Sequence, residues 1–377
     1  MKLLAIAGEP SGDQHGGALL AGLYSRIPGL QVSGIGGPRM TAQGLSPLHS
    51  FQSLQVHGLV EVLRHLPRLY RILWDLERRM DEDRPDALLT IDYPGFNLKL
   101  AQAAAKRSIP VIHYSSPQVW AWRSGRIQTI ARSVSKLIVL FPFEEDLYRK
   151  SGVNAEFVGH PLVGQEAPPE KVSQLLAGLK GSPSLPLVAL MPGSRASELE
   201  RHLAPLLGAV KEMGQRGFQA RWVMPLAPGL NRTRVEEQIR QAGVIVQVLE
   251  GGFLPLLKLA QLALVASGTA ALQTALAGIP MVVFYKLSPL TYQIARRVVK
   301  LPHVSMVNIL AGREIVPERL QQAVNPLTLA DTFLALAQSP TAQAAMKKNL
   351  AQVTTVLGKP GAYDRGAEAI ARFLNEH

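Results

Sequence analysis

The chain has 377 residues, which is too long for one ordinary hydrophobic core, and its 47% hydrophobic content is that of a globular protein with two domains. It contains no cysteine, which excludes disulfides and thiolate chemistry and suits a reducing compartment. The formal net charge of +12 predicts an anionic partner: nucleic acid, anionic lipid or a phosphorylated substrate. We expect no nucleic-acid partner, because the sequence has neither a basic arm nor a basic stripe interleaved with aromatic residues.

The first half of the chain alternates apolar runs with helical patterns. The opening apolar run is too short for a signal peptide, and no run of about 18 apolar residues follows, so the protein is expected to be soluble or to lie on a surface. Strands are predicted at Leu3–Ala7, Gln31–Ile35, Ala87–Ile91, Val111–Tyr114, Lys136–Leu140 and Ala155–Val158, and helices at Gly17–Arg26, Pro94–Lys106 and Glu144–Ser151. This alternation predicts an open, mostly parallel sheet with helices on both faces and ligands at the carboxyl ends of its strands.

One segment of this half, His57–Met80, combines apolar residues at helical spacing with flanking arginines. Pro67 is expected to divide it into two short helices. Two interpretations are open: amphipathic helices packed on the sheet, or an interfacial membrane segment. In the membrane interpretation, Leu69, Leu73 and Trp74 would insert into the apolar layer, and Arg68 and Arg71 would contact the headgroups. We expect the second, with binding to an anionic membrane surface.

A change in composition between Leu162 and Pro186 predicts a domain boundary. The predicted domains are residues 1–165 and 166–361, and a C-terminal helix, residues 362–377, could pack back on the first. After the boundary, strands are predicted at Leu187–Met191, Ala220–Val223, Val244–Val248, Leu262–Ala266 and Met281–Phe284, with a helix that begins at Ser197. The predicted fold is therefore α/β, with two Rossmann-like domains facing a cleft.

Two loops of the second domain are candidates for binding phosphate. The run Ala266–Leu276 passes from a buried strand directly into a helix, so backbone N–H groups and the helix dipole could hold a diphosphate without a metal. The alternative is a simple turn capped by Ser267 or Thr269. Arg195 follows a flexible Pro-Gly-Ser loop and could clamp phosphate, or it is only a surface arginine.

Two further polar residues fall in apolar surroundings. Asp92, at the end of a predicted strand, is either a helix cap or a general base. Asn308 is either a buried structural amide or a ligand contact. The scattered histidines and the absence of an HExxH motif predict no metal, and the absence of a GxGxxG or P-loop motif after the first strand argues against NAD or ATP, so no cofactor is expected.

Ten motifs, in order along the chain, resemble the lipid-A-disaccharide synthase family. They are AGEPSGD, GPRM, GLVEVL, IDYPGFN, SPQVWAWR, FPFE, GHPL, PGSRASELE, ASGTAAL and NILAGREIVPERLQ. The resemblance implies a metal-independent inverting glycosyltransferase of the GT-B type. It would join UDP-2,3-diacylglucosamine to 2,3-diacylglucosamine 1-phosphate and release UDP and the β-1′,6-linked lipid A disaccharide 1-phosphate. It also implies a location on the cytoplasmic face of the inner membrane. The oligomeric state, monomer or homodimer, is left open.

Together, the residues and the resemblance predict one set of roles. Asp92 would be the base. The UDP side would comprise Ser194, Arg195, Ser267, Gly268, Thr269, Gln273 and Asn308, and the acceptor side Glu9, Ser11, Gly12, Asp13, Gln118 and Trp120. Two positions depart from the family: Gln273 stands where Glu is usual and is expected to meet the ribose, and Arg319 stands where a hydrophobic residue is common.

Two rival functions remain at this point. One is another enzyme of the same architecture, such as a UDP-N-acetylglucosamine 2-epimerase or the peptidoglycan N-acetylglucosaminyltransferase. The other is a non-catalytic lipid-binding protein.

Overall fold

The computed structural model describes residues 1–54, 59–116, 125–298 and 301–376, and the side chains of residues 59–65 and 294 lie outside this description. The chain forms two compact units. Unit 1 comprises Met1–Gly164 and Leu357–His377, and unit 2 comprises Gln165–Val356.

Unit 1 is built on a seven-stranded, fully parallel sheet. Its strands are β1 (Lys2–Ala7), β2 (Gln31–Ile35), β3 (Ser46–Pro47), β4 (Ala87–Ile91), β5 (Val111–Tyr114), β6 (Lys136–Val139) and β7 (Ala155–Phe157), in the order β3-β2-β1-β4-β5-β6-β7. Its helices are α1 (Pro10–Tyr24), α2 (Pro38–Ala42), α3 (Leu59–Asp83), α4 (Pro94–Lys106), α5 (Gly125–Ser133) and α6 (Pro142–Arg149). A 3-10 turn occupies Phe51–Ser53. Every residue of β4 is buried, as an apolar strand in the middle of a parallel sheet requires.

The last helix of the chain, α16 (Ala362–Glu376), belongs to this unit and packs against α1. The two helices approach closely, since a Cβ atom at Gly22 would lie only 2.6 Å from the Cβ of Ala367. Ile370, Phe373 and Leu374 complete the core between these helices and the sheet. The first and last helices of unit 1, α1 and α16, therefore cover the same face of the sheet.

Helix α3 differs from its prediction. It continues through Pro67 from Leu59 to Asp83, so the expected division into two helices is wrong. A proline inside a helix costs about 3 kcal/mol. Ile72, Leu76 and Met80 are buried against the sheet, and each such side chain stabilises the fold by about 1.5–3 kcal/mol, which offsets that cost.

Unit 2 is built on a six-stranded sheet that is also fully parallel. Its strands are β8 (Leu187–Met191), β9 (Arg221–Leu226), β10 (Gln247–Glu250), β11 (Leu262–Ala266), β12 (Met281–Tyr285) and β13 (Glu318–Leu320), in the order β10-β9-β8-β11-β12-β13. Its helices are α7 (Pro169–Gly178), α8 (Ala196–Gln215), α9 (Arg232–Ala242), α10 (Phe253–Leu259), α11 (Thr269–Leu276), α12 (Pro289–Val298), α13 (Met306–Ala311), α14 (Pro326–Ala337) and α15 (Pro340–Thr355). A second 3-10 turn occupies Gln321–Ala323. The predicted class, two parallel-sheet α/β domains, is confirmed.

Each sheet has one point at which the strand order reverses direction. In unit 1 the chain builds outward from β1 through β2 to β3 and then returns to place β4 on the other side of β1. In unit 2 it builds from β8 through β9 to β10 and returns to place β11 beside β8. The loops that leave such a pair of strands diverge to opposite faces of the sheet and open a crevice at its carboxyl edge. These two crevices are where ligands are expected.

Among the described residues, no helix is both long enough and apolar enough to cross a membrane.

Candidate active site

The crevice of unit 1 brings together the loops that follow β1 and β4. The first predicted loop is partly helical: α1 begins at Pro10, so Ser11, Gly12 and Asp13 lie in its first turn rather than in a loop. Glu9 is its N-cap residue, in an extended conformation that proline at the next position suits. A side chain at Gly8 would strike the Tyr93 ring at 2.5 Å, so the glycine allows the two loops to meet.

Asp92 lies directly after β4 in a tightly held turn. Asp92 and Tyr93 both have φ near +50°, a left-handed conformation that is unfavourable for residues with a side chain. Three hydrogen bonds hold the turn: the Asp92 N–H donates to the Tyr114 carbonyl at 3.0 Å, and the buried Asn97 amide donates to the carbonyls of Asp92 at 2.7 Å and Ile91 at 3.3 Å. The N-cap residue of α4 is Tyr93, whose side chain makes no capping hydrogen bond, so the alternative of Asp92 as the helix cap is wrong.

The surroundings of Asp92 favour its protonated form. Burial, and then the negative charge of Glu9, raise its pKa above the usual value, while hydrogen bonds from the Tyr93 N–H and the Ser11 side chain act in the opposite direction. A carboxylate with a raised pKa takes a proton more readily than an ordinary aspartate. This is the change that a general base for a hydroxyl group requires.

Two residues predicted for the acceptor side have roles inside the fold. The Asp13 carboxylate is buried and accepts the backbone N–H groups of Arg39 and Met40, at 3.1 and 3.0 Å, at the start of α2. Gly12 is also buried, and a Cβ there would lie in tight contact with Ala7, at 3.3 Å, and with the Ile91 carbonyl, at 3.4 Å. Glu9 and Ser11 are thus the predicted residues that face Asp92. Gln118 and Trp120 lie outside the described residues.

A partly buried polar cluster at the same edge was not predicted. The Tyr114 hydroxyl, at the end of β5, has no hydrogen-bond partner among the described residues. The His15 ring lies 5.6 Å from the Tyr114 ring, and its Nδ1 is 2.9 Å from the Tyr363 hydroxyl of α16. Burial lowers the pKa of His15 to about 4, so the imidazole is neutral near pH 7. His15 follows GEPSGD by two residues, but its partner on α16 is 348 residues away in sequence, so no local pattern could reveal the pair.

The crevice of unit 2 places the PGSR loop and the Ser-Gly-Thr turn on neighbouring strands. Met191 of β8 pairs with Val265 of β11, so the loops that follow both strands leave the sheet side by side. The N-cap residue of α11 is Gly268, with φ +146° and no atom within 4 Å of where a Cβ would stand. No side chain caps the helix, and the N–H groups of Gly268, Thr269 and Ala270 have no partner among the described residues. The start of α11 is therefore open to an anion.

A buried carboxylate shapes the PGSR loop. Helix α8 begins at Ala196, one residue before its predicted start at Ser197, and its N-cap residue is Arg195. Glu198 Oε2 accepts the N–H groups of Ser194 and Arg195 at 2.9 and 3.2 Å, which bends the loop back over the helix. Gly193 has φ +120°, and a Cβ there would lie 2.5 Å from the same oxygen, so the loop requires glycine at this position.

Arg195 extends away from this loop. Its side chain is 74% exposed, and one guanidinium nitrogen lies 3.2 Å from Glu198 Oε1. The same oxygen accepts the Tyr285 hydroxyl at 3.1 Å. Glu198 thus fixes the backbone of the loop and one side of the guanidinium, while the rest of the Arg195 fork is open to solvent.

His202, one turn further along α8, links two strand ends. It is fully buried, its Nε2 accepts the Lys286 N–H at 3.0 Å, and its Nδ1 lies 2.6 Å from the Pro192 carbonyl. Because Nε2 accepts, Nδ1 carries the proton and donates, which defines a neutral tautomer. Burial lowers the pKa of His202, in keeping with that state. Neither Glu198 nor His202 was predicted. Their i, i+4 spacing, which places them on the same face of α8, was the sequence feature that could have indicated them.

Of the two alternatives for Asn308, a buried structural amide and a ligand contact, the structure supports the first. It is fully buried, its amide nitrogen donates to the Val316 carbonyl and to Glu318, and its oxygen accepts the N–H groups of Ile315 and Val316. All its hydrogen-bonding positions are in use. Glu318 also accepts the N–H groups of Val304 and Ser305, and the Val304 carbonyl accepts the Ser267 hydroxyl at 3.3 Å. Asn308 therefore supports the Ser-Gly-Thr turn indirectly, through Glu318 and Val304.

The two positions that depart from the family pattern lie in different surroundings. Gln273 is half-buried in the second turn of α11. Arg319 donates to the Thr332 hydroxyl at 2.7 Å and to the Glu318 carbonyl at 2.9 Å, so its charge is used to join β13 to α14. No group of three or more potential metal ligands occurs among the described residues.

Comparison with known sequences gives one consistent family. A family model described as lipid-A-disaccharide synthetase matches residues 3–371. The lipid-A-disaccharide synthase of Anaeromyxobacter dehalogenans (strain 2CP-C) is 42% identical over 371 residues, which are 98% of this chain and 96% of the relative. That of Myxococcus xanthus (strain DK1622) is 38% identical over 373 residues, with 99% and 97% covered.

Comparison with solved structures gives the same architecture. The UDP-GlcNAc 2-epimerase of Neisseria meningitidis, bound to UDP-GlcNAc, has a TM-score of 0.62 at 12% identity and full coverage of both chains. MurG of Acinetobacter baumannii has a TM-score of 0.59 at 14% identity, with 100% of this chain and 98% of that chain covered. At these identities the similarity concerns the fold alone.

Proposed function

The chain belongs to the lipid-A-disaccharide synthase family and is a glycosyltransferase of lipid A synthesis; from this premise we propose its substrates and the residues that act on them. The donor is UDP-2,3-diacylglucosamine and the acceptor is 2,3-diacylglucosamine 1-phosphate. The observation that carries the proposal is the opposite chemistry of the two crevices. Unit 1 has a carboxylate with a raised pKa, and unit 2 has, on loops of neighbouring strands, an exposed arginine and N–H groups without a partner among the described residues.

Asp92 is the general base of this reaction. The acceptor hydroxyl is a primary alcohol, which is a poor nucleophile near pH 7 unless its proton is removed during the attack. The acceptor oxygen forms a bond to the anomeric carbon of the donor, on the side opposite to UDP, while the bond from that carbon to the diphosphate breaks. The acceptor proton passes to Asp92, and the electron pair of the broken bond leaves with UDP.

The diphosphate gains negative charge as it leaves. Arg195 and the N–H groups at the start of α11 stabilise that charge, because both present donors that are fixed before the reaction begins. Gln273, close behind in α11, hydrogen-bonds the ribose hydroxyls. The support that Glu198 and His202 give to this edge keeps the donors in place.

The acylated substrates bring the enzyme to the membrane, and α3 is the contact in unit 1. Pro67, Tyr70, Arg71 and Trp74 recur at helical spacing on its outer face. Trp74 is 67% exposed and Tyr70 is 52% exposed. Leu69 and Leu73 are half-buried against the core, so of the three predicted apolar contacts only Trp74 projects freely. Arg68 and Arg71 are exposed and meet the headgroups. The location is the cytoplasmic face of the inner membrane.

Replacing Trp74 and Tyr70 together by serine tests this contact. Each large side chain is worth about 1.5–3 kcal/mol when it leaves water, so binding to anionic vesicles should weaken by at least about tenfold. Leu176→Ser is the matched control, because Leu176 is 55% exposed on α7 and belongs to the other unit. Sedimentation with vesicles equal to that of the parent would show that α3 does not meet the lipid.

The reaction itself is tested with the two acylated substrates. The pure protein should convert them to a disaccharide phosphate and UDP, both detected by mass spectrometry, and should show little turnover with UDP-N-acetylglucosamine, which lacks the acyl chains. Interconversion of UDP-N-acetylglucosamine to its epimer, or lipid binding without UDP release, would contradict the proposal. The family relationship favours neither of those alternatives.

A further inference from the structure

Helix α12 in unit 2 presents an apolar face to solvent that the proposed reaction leaves without a role. Leu290 is 73% exposed and Val298 is 39% exposed, two turns apart on the same side of the helix. Tyr292 and Ala295, on the opposite side, are half-buried. The helix is well started, since the Ser288 hydroxyl accepts the Thr291 N–H at 3.2 Å. Two apolar residues of this helix, Leu290 and Val298, therefore face solvent.

The charged residues in the sequence around this helix have one sign. Arg296 and Arg297 occupy its last turn, and both are exposed. In the sequence, no Asp or Glu occurs from Gly251 to Arg313, while this stretch contains Lys258, Lys286, Arg296, Arg297, Lys300 and Arg313. Helix α12 therefore contains two arginines and no Asp or Glu. Apolar side chains bordered by cations are suited to an anionic bilayer.

The position of α12 connects this face to the donor crevice. It follows β12 through a three-residue loop, so it begins at the carboxyl edge of the sheet. The first residue of that loop, Lys286, is bound by His202, which also holds the PGSR loop. A donor whose diphosphate lies at α11 would have its acyl chains near the same edge.

We propose that α12 is a second membrane-binding helix, with which unit 2 contacts an anionic phospholipid surface independently of α3. Leu290 and Val298 enter the interface, and Arg296 and Arg297 bind lipid phosphates. The proposal extends the membrane binding proposed above, and it can fail while the reaction and the α3 contact stand. A second copy of this chain is the less suitable occupant, because a twofold contact would bring two sets of these arginines together.

A single reporter on α12 tests the proposal without altering the core. The chain has no cysteine, so Leu290→Cys can be labelled at one place with an environment-sensitive dye. On addition of vesicles with about 30% phosphatidylglycerol, the dye at position 290 should shift to the blue, and the shift should be lost in the Arg296→Gln, Arg297→Gln background. Leu327→Cys on α14, 56% exposed, is the control and should not respond.

A binding measurement completes the test. The double variant Leu290→Ser, Val298→Ser should bind these vesicles roughly tenfold more weakly than the parent and retain its elution volume in gel filtration and its thermal unfolding. An unresponsive dye at position 290, or unchanged vesicle binding by the double variant, overturns the proposal. A dye shift that depends on protein concentration without vesicles, with a smaller apparent mass for the double variant, would assign this face to a second copy instead and would also overturn it.

Discussion

The two crevices share one backbone plan but carry opposite charges. In both, two loops leave adjacent parallel strands at the point where the strand order reverses. In unit 1, Glu9 and Asp92 come together, and the pKa of Asp92 rises. In unit 2, the carboxylate at the crevice, Glu198, is turned inward onto N–H groups of its own loop, and Arg195 is left exposed.

The difference shows how one fold supplies both a base and an anion site. Burial beside a second negative charge raises the pKa of Asp92 and makes it a proton acceptor, whereas Glu198 accepts two backbone N–H groups of its own loop and acts as a structural support. The same residue type therefore has opposite uses in the two units.

The largest effect is expected from Asp92→Asn, which removes the base. Turnover should fall by roughly 10²- to 10⁴-fold, while UDP affinity by calorimetry remains unchanged because Asp92 belongs to the other unit. The variant should unfold at the same or a slightly higher temperature, because a carboxyl group whose folded-state pKa is raised costs stability when it is ionised. Asp81→Asn, an exposed partner of Arg107, is the control. A variant with near-normal turnover would show that Asp92 is not the base.

Arg195→Ala should have the next largest effect, on donor binding. A hydrogen bond to a charged group is worth about 1.5–3 kcal/mol, so UDP should bind about ten- to a hundredfold more weakly. Arg201, half-buried on α8 and bonded to the Ser197 carbonyl, provides the control as Arg201→Ala. Equal losses in both variants would indicate a general charge effect, and no loss in Arg195→Ala would place the diphosphate elsewhere.

His202→Phe tests the support of the anion crevice. It leaves the Pro192 carbonyl and the Lys286 N–H unpaired, at a cost of about 1–3 kcal/mol, and each kcal/mol lowers the melting temperature by about 2–4 °C for a unit of this size. Thermal unfolding measures this loss, and UDP affinity should also fall. His202→Gln should restore part of both, and His303→Phe should change neither.

The same histidine predicts a pH dependence. Its folded-state pKa is lowered, so its contribution to stability is present above the pKa of the unfolded chain and is lost as the pH falls through the lower folded value. Acid should therefore weaken the parent relative to His202→Gln. A melting-temperature difference that does not change with pH would mean that His202 does not titrate in the folded state as described.

Glu9→Gln should give the smallest effect. Removal of the neighbouring charge lowers the pKa of Asp92, so the acid limb of the kcat profile should move to lower pH while the plateau is nearly unchanged. The profile of Glu82→Gln, an exposed residue of α3, is the reference. An unmoved acid limb would mean either that Glu9 does not act on the base or that the base is another residue.

The sequence by itself determined the elements and the fold class. Period-two and continuous apolar runs are local signals, so strands such as β4, β5, β8 and β11 were predicted at their observed bounds. The Ser-Gly-Thr turn and Asp92 were also recognisable, because a polar residue that ends a buried strand is a local feature. The family motifs, spread over most of the chain, determined the reaction class.

Only the tertiary structure decided which of those residues meet. Strand order places β4 beside β1 and β11 beside β8, although 84 residues separate Leu3 from Ala87, its partner in register. That order brings Glu9 to Asp92, buries Asp13 and Asn308 in internal hydrogen bonds, and reveals Glu198 and His202 as supports. Burial and hydrogen-bond satisfaction depend on partners that are distant in sequence, so a local pattern cannot specify them. The same holds for α3, where long-range packing of one face outweighs the local effect of Pro67.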